Sequence, residues 1–243
     1  MRIVAIIQAR MGSTRLPGKV MKEICGKTML ERVIHRTQHA RALSQVIVAT
    51  TISPIDDVVV AECERLGVEV FRGAEQDVLN RYYWAAKAYQ VEVVVRLTSD
   101  CPLIDPDVVD QVVYAFLSKK ADYASNTLER TYPRGLDTEV FTMAALDRAR
   151  RETSQPYQRA HVTPYFYENP NLFRLFSVRA ETDCSGYRLT VDTPEDWDFI
   201  QKVCGRLDNN LNATWLDVLR LLSREPALAE LNRCIQQKVL KEG

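Results

Sequence analysis

Three cations lie within ten positions of one another near the start of the chain: Arg10, Arg15 and Lys19, interleaved with Gly12, Ser13, Thr14 and Gly18. Glycine lets a backbone turn tightly against a ligand, hydroxyls donate hydrogen bonds, and guanidinium and ammonium groups neutralise anionic oxygens. Together they suit a triphosphate. A second pattern, Thr98-Ser99-Asp100-Cys101-Pro102-Leu103-Ile104-Asp105, delivers a carboxylate directly after an apolar run. Mg²⁺ takes one or two carboxylates and completes its shell with phosphate oxygens and water, so Asp100 reads as a metal ligand beside the triphosphate. Asp105, just before Pro106, reads as a helix cap instead.

Both patterns need strands to place them. Ile3-Val4-Ala5-Ile6-Ile7-Gln8 is short, apolar and branched, as a buried parallel strand is, and its loop falls where open α/β sheets put their ligands. Five residues separate Gly12 from Gly18, and Val20 follows Lys19, so the loop is not a Walker P-loop; nor does it contain G-x-G-x-x-G. A merely solvated basic loop is the blander reading, and the position directly after the first strand weighs against it. Strand patterns at 46–50, 68–71 and 91–97 alternate with helical ones, the helix after the loop placing Leu30, Val33, Ile34 and Thr37 inward and Glu31, Arg32 and Arg36 outward. His35 and His39 lie four apart on it but lack a third ligand, so a solvated face is expected. The succession βαβαβ predicts a mostly parallel sheet with helices on both faces.

The stretch Gln8-Ala9-Arg10-Met11-Gly12-Ser13-Thr14-Arg15-Leu16-Pro17-Gly18-Lys19 resembles the signature of the CMP-sugar synthetases, the cytidylyltransferases that activate 3-deoxy-manno-octulosonate and sialic-type acids. The branch it looks most like is that of the spore-coat-polysaccharide cytidylyltransferases. The resemblance implies a Rossmann-like fold of the nucleotide-diphospho-sugar transferase type, CTP and a sugar as substrates, Mg²⁺ as cofactor and a homodimer. It assigns Gln8, Ala9, Arg10, Gly12, Ser13, Arg15 and Lys19 to the nucleotide, with the Gly12 and Ser13 amides as the phosphate cradle. Asp77 and Arg81, on the helix pattern that opens at Asp77, join them because the family has an arginine beside the cytosine there. Tyr187-Arg188-Leu189-Thr190-Val191-Asp192-Thr193-Pro194-Glu195-Asp196 matches strongly, and it implies that Asp192 is the second Mg²⁺ ligand. Capping accounts for Thr193, Pro194, Glu195 and Asp196 but not for Asp192, placed at the end of an expected strand. Arg10, Lys19, Asp100 and Asp192 thus form the expected catalytic set. Cys101 departs from the acidic residue expected beside Asp100.

Past the middle of the chain, residues of about 122–180 read as a small mixed-strand excursion for substrate and dimerisation within one domain spanning 1–243. Asn126, Arg134, Asp137 and Glu139 are the residue types that read hydroxyls, carboxylates and amines, and they are the sugar-binding candidates. His161, in a helix expected over 159–169, joins them through the resemblance. Trp197, Ile200 and Cys204, then Trp215, Val218, Leu219 and Leu222, read as two terminal helices packed on the sheet.

Composition sets bounds on partners. Lys plus Arg and Asp plus Glu both number 32, so nothing suggests nucleic acid as a partner. The six cysteines form no C-x-x-C pair, and reduced thiols in a cytoplasm fit them. The opening apolar run is too short for a signal peptide and no stretch has the length of a membrane span, so a soluble cytoplasmic protein is expected. Two other classes compete with a sugar-activating enzyme. A nucleotide-sugar-dependent glycosyltransferase usually carries Asp-x-Asp, which Ser99-Asp100-Cys101 lacks, and a non-catalytic nucleotide-binding module has no need of the expected catalytic set.

Overall fold

In the computed structural model, which describes residues 1–237, β1 (Ile3–Gln8) leads into the basic loop, which closes in a 3-10 turn at Lys19–Met21. A hairpin of β2 (Glu23–Ile24) and β3 (Lys27–Thr28) is followed by α1 (Met29–Gln38), β4 (Gln45–Thr51), α2 (Asp57–Arg65), β5 (Glu69–Gly73), α3 (Val78–Ala88) and β6 (Val93–Thr98). The chain continues through α4 (Pro106–Lys119), β7 (Tyr123–Ser125), β8 (Glu139–Thr142), α5 (Met143–Glu152), α6 (Pro156–His161), α7 (Pro164–Glu168) and β9 (Leu175–Ser177). Helices α8 (Pro194–Arg206), α9 (Trp215–Arg224) and α10 (Pro226–Glu230) follow.

Seven strands make one sheet in the order β5-β4-β1-β6-β8-β7-β9. β5, β4, β1 and β6 run parallel, β8 is antiparallel to both β6 and β7, and β9 is parallel to β7. The mixed strands expected after α4 therefore extend the main sheet. Apolar side chains alternate between two cores: Ile3, Ala5 and Ile7 face one, Val4 and Ile6 the other, and Val93, Val95 and Leu97 are likewise opposed to Val94. A strand buried on both faces must be apolar throughout, which is why these segments read as continuous hydrophobic runs. The first core includes residues of α1, α4, α8 and α9, the second residues of α3, α5 and α7.

Three expectations are corrected. Glu31, Arg32 and Arg36 are buried rather than exposed. Their charge is absorbed locally: Arg32 donates to the Ile24 carbonyl, Arg36 to the carbonyls of Ile104, Leu211 and Ala213, and Glu31 accepts from Arg65. The arginines thus tie α1 to the irregular segments around it, work that periodicity does not disclose. The helix expected over 159–169 is broken into α6 and α7, because Val162 takes a φ of 71° and Pro164, lacking an N–H, starts a new turn. Segment 187–192 is extended but is no ladder strand. It bonds first to the 134 region and then to Asp100, with a single bridge between Arg134 and Arg188.

Candidate active site

The carboxyl ends of β1 and β6 lie side by side, with Gln8 paired to Thr98. This brings the basic loop and the Asp100 turn together. Segment 187–192 is sewn to the same place: the Val191 N–H donates to the Asp100 carbonyl at 2.8 Å, and the Thr190 hydroxyl donates to it at 3.0 Å. Gly135, at φ 100°, permits this closeness, since a Cβ there would lie 2.6 Å from the Leu189 carbonyl carbon.

Lys19 stands at the centre. Its buried ammonium donates to Asp100 Oδ2 and Asp192 Oδ1, each at 3.0 Å, and to the Val191 carbonyl at 2.7 Å. Burial alone would favour the neutral amine, but the two carboxylates outweigh it and raise the Lys19 pKa. For Asp100, burial pulls upward, yet Lys19 and the Thr98 hydroxyl, which donates at 2.6 Å, hold the carboxyl below its usual range. Asp192 receives two further cations on Oδ2, Arg188 at 2.8 Å and Arg15 at 3.1 Å. Arg188 in turn is gripped by the fully buried Asp196, which also completes the capping box of α8 with Thr193.

The two aspartates fit Mg²⁺ in their chemistry. Both are hard oxygen donors, brought together about the Lys19 ammonium, which lies 3.0 Å from each. Among the described residues no group of three or more His, Cys, Asp and Glu side chains could hold a metal ion. A divalent ion here would therefore depend on these two carboxylates together with phosphate oxygens and water.

The basic loop is closed on itself at Met11, whose carbonyl accepts from the Ser13 N–H at 2.8 Å and the Gly18 N–H at 3.1 Å. The Ser13 amide is thus spent inside the loop, contrary to the expected cradle, because the tight turn at Gly12 points it back. Ser13 Oγ accepts from Leu16, and Arg10 is exposed, 3.5 Å from Glu75. Ala9 is buried and its N–H donates to the Ala49 carbonyl, so it shapes the loop by its backbone. Arg81 is buried under the 74–75 carbonyls, to which it donates, and its Nε has no partner. Asp77 caps α3 and pairs with Arg159 at 2.6 Å.

Beside Asp100 and Asp192 opens a cleft of about 820 Å³, reached by Gln8, Arg134, Asp137, Glu139 and His161 from the sequence-derived set. Asn126 is not brought to it. Its amide is consumed by the Leu136 carbonyl and the Thr138 N–H, where it ties the 126–138 connection shut. The cleft also contains residues that the sequence reading passed over. Arg96 pairs with Glu139 and donates to Gln8, and Arg130 makes a two-pronged pair with Asp137 at 2.6 and 2.7 Å. Arg96 had a visible signal, a charge inside the most apolar strand, and Arg188 stands four residues before Asp192; Arg130 had none. Arg134 differs from the other cleft arginines: among the described residues its side chain makes no ion pair, and burial together with neighbouring Arg130 disfavours its charge.

A mostly parallel sheet with a basic loop at the end of its first strand, two aspartates held across a buried lysine and an adjoining polar cleft fit the needs of a nucleotidyltransferase. The comparisons with known proteins give the particular kind. The cytidylyltransferase family profile matches residues 4–233, and the chain belongs to that family, whose members are nucleotidyltransferases that use CTP. It is 33% identical over 234 residues to spore coat polysaccharide biosynthesis protein SpsF of Bacillus subtilis, covering 93% of this chain and 96% of that one. A cytidylyltransferase structure from Leptospira borgpetersenii superposes with a TM-score of 0.92 at 36% identity, covering 98% and 100%. The structure of CMP:2-keto-3-deoxy-manno-octonic acid synthetase with CTP gives a TM-score of 0.66 over 85% of this chain and all of that one; at 19% identity that likeness is one of fold.

Proposed function

We propose that this protein transfers CMP from CTP to an acidic sugar and releases pyrophosphate, in the making of a surface polysaccharide or other glycan. A sugar hydroxyl attacks the α-phosphorus in line, the new P–O bond forms, the bond to the β-phosphate oxygen breaks to release pyrophosphate, and the hydroxyl proton passes to solvent. Negative charge grows on the leaving pyrophosphate and on the equatorial oxygens, so the site's task is to position and neutralise. Arg10 and Arg15 reach the β- and γ-phosphates from the loop, and Lys19 serves the same charge from between the aspartates. Asp100 and Asp192 would hold Mg²⁺, which supplies further neutralisation across the phosphates when bound. A carboxyl held ionised, as Asp100 is, suits that duty better than proton abstraction.

The observation that carries the acidic sugar is the arrangement of charge in the cleft. Glu139 is matched by Arg96 and Asp137 by Arg130, which among the described residues leaves Arg134 as a cation with no ion pair of its own. A substrate carboxylate would complete it, while Glu139, Asp137 and His161 read hydroxyl or amine groups. Asp77 and Arg81 belong on this reading to the cytidine end. Assembly as a homodimer through the 122–180 region and residence in the cytoplasm form part of the same proposal, and sedimentation tests the first. The enzymatic reading is tested by thermal stability with CTP, UTP, ATP and GTP, with and without Mg²⁺, because a ligand that binds only the folded state raises its midpoint. A magnesium-dependent rise with CTP alone supports it, and no rise with any triphosphate overturns it.

A further inference from the structure

We propose that Asp56, outside the cleft and in none of the roles above, is the positioning residue that holds the basic loop in its triphosphate-binding shape. The inference rests on the reading that residues 8–19 take the CTP phosphates. Asp56 follows β4 on a 3-10 turn over Pro54–Asp56 and is 1% exposed. Its Oδ1 accepts the Met11 N–H at 2.7 Å, and its Oδ2 accepts the Thr51 hydroxyl. Met11 is the fulcrum of the loop, since its carbonyl holds both the Ser13 and the Gly18 amides. One end of that pinch sets the turn at Gly12, and the other leads directly into Lys19.

The buried carboxylate thus fixes a single peptide on which both halves of the loop depend. A helix or strand end needs only a neutral acceptor for one stray N–H. A buried carboxylate accepts more strongly, and its bond to an N–H is worth enough to hold a glycine-rich loop against its own entropy. Asp57, next in the chain, is exposed and pairs with Arg72.

Isothermal titration of the full chain with CTP, CMP and inorganic pyrophosphate tests this, using D56A, D56N and the neighbouring control D57A. Loss of a hydrogen bond to a charged group predicts that D56A weakens CTP and pyrophosphate at least about 10-fold, with CMP altered less than about 3-fold. D56N keeps one acceptor oxygen without the charge and recovers only part of the loss, and D57A binds as the unaltered chain does. If D56A does not fold, T51V carries the test by freeing the carboxylate on one side, with CTP weakened and CMP unchanged. Unaltered CTP binding in D56A or T51V, or equal loss of CMP and CTP, overturns the inference. An unaltered chain that binds neither CTP nor pyrophosphate overturns the loop reading itself.

Discussion

Replacing Lys19 by methionine keeps most of the side chain's length and removes its charge. Asp192 retains Arg188 and Arg15, whereas Asp100 is left with the Thr98 hydroxyl as its nearest support, its thiol neighbour being a weak donor. An uncompensated buried charge costs about 3–5 kcal/mol; Asp100 is only half-buried and Asp192 keeps two cations, which puts K19M at the low end, about 3. For a chain of this size that lowers the midpoint of thermal unfolding by roughly 6–12 °C at pH 7. The pH dependence separates this cause from general loosening. In the unaltered chain Asp100 is depressed, so its contribution is present above the unfolded carboxyl range and fades as the pH falls. In K19M burial acts on Asp100 without the opposing lysine, its pKa rises, and the penalty is relieved as the carboxyl protonates. The deficit of the variant is therefore greatest near neutrality and shrinks toward pH 4. Urea unfolding of both proteins at pH 7 and about pH 4.5 measures it. A deficit equal at the two pH values, or none at either, refutes the argument.

Three further outcomes follow from the same geometry. Arg134→Gln raises KM for an acidic sugar at least about 10-fold while CTP binding stays within about 3-fold, as expected for loss of a charge-assisted contact made by one substrate; equal loss for both substrates would contradict it. Gly135→Ala places a Cβ 2.6 Å from the Leu189 carbonyl carbon in a left-handed backbone region, and calorimetry should show destabilisation of about 3 kcal/mol or more. Chelation of divalent ions abolishes turnover and leaves the circular dichroism unchanged; turnover that survives chelation removes Mg²⁺ from the account.

The fold was legible because its central strands are buried on both sides, so they appear as apolar runs divided by helical periods, and each end falls near where the pattern changes. Lys19, Asp100 and Asp192 were legible as residues and illegible as a triad, since no spacing reveals that an ammonium 81 positions from one carboxylate and 173 from the other touches both. Periodicity misplaced Arg32 and Arg36 because a guanidinium can be buried on carbonyl groups, a use of charge that depends on irregular segments brought in from distant sequence. Asn126 shows the converse: a residue type suited to sugar was taken up by backbone groups, and only the closed connection discloses it. Asp56 gave no signal at all, standing before a second, exposed aspartate.

The central claim is transfer of CMP to an acidic sugar, and the direct measurement is ³¹P magnetic resonance of the protein incubated with CTP, Mg²⁺ and a panel of acidic sugars including 3-deoxy-manno-octulosonate. A phosphodiester signal of a CMP-sugar rising together with equimolar pyrophosphate, and absent in the Asp192→Asn variant, is the predicted result. Pyrophosphate with no phosphodiester, or a phosphodiester made equally well with neutral sugars, would contradict it.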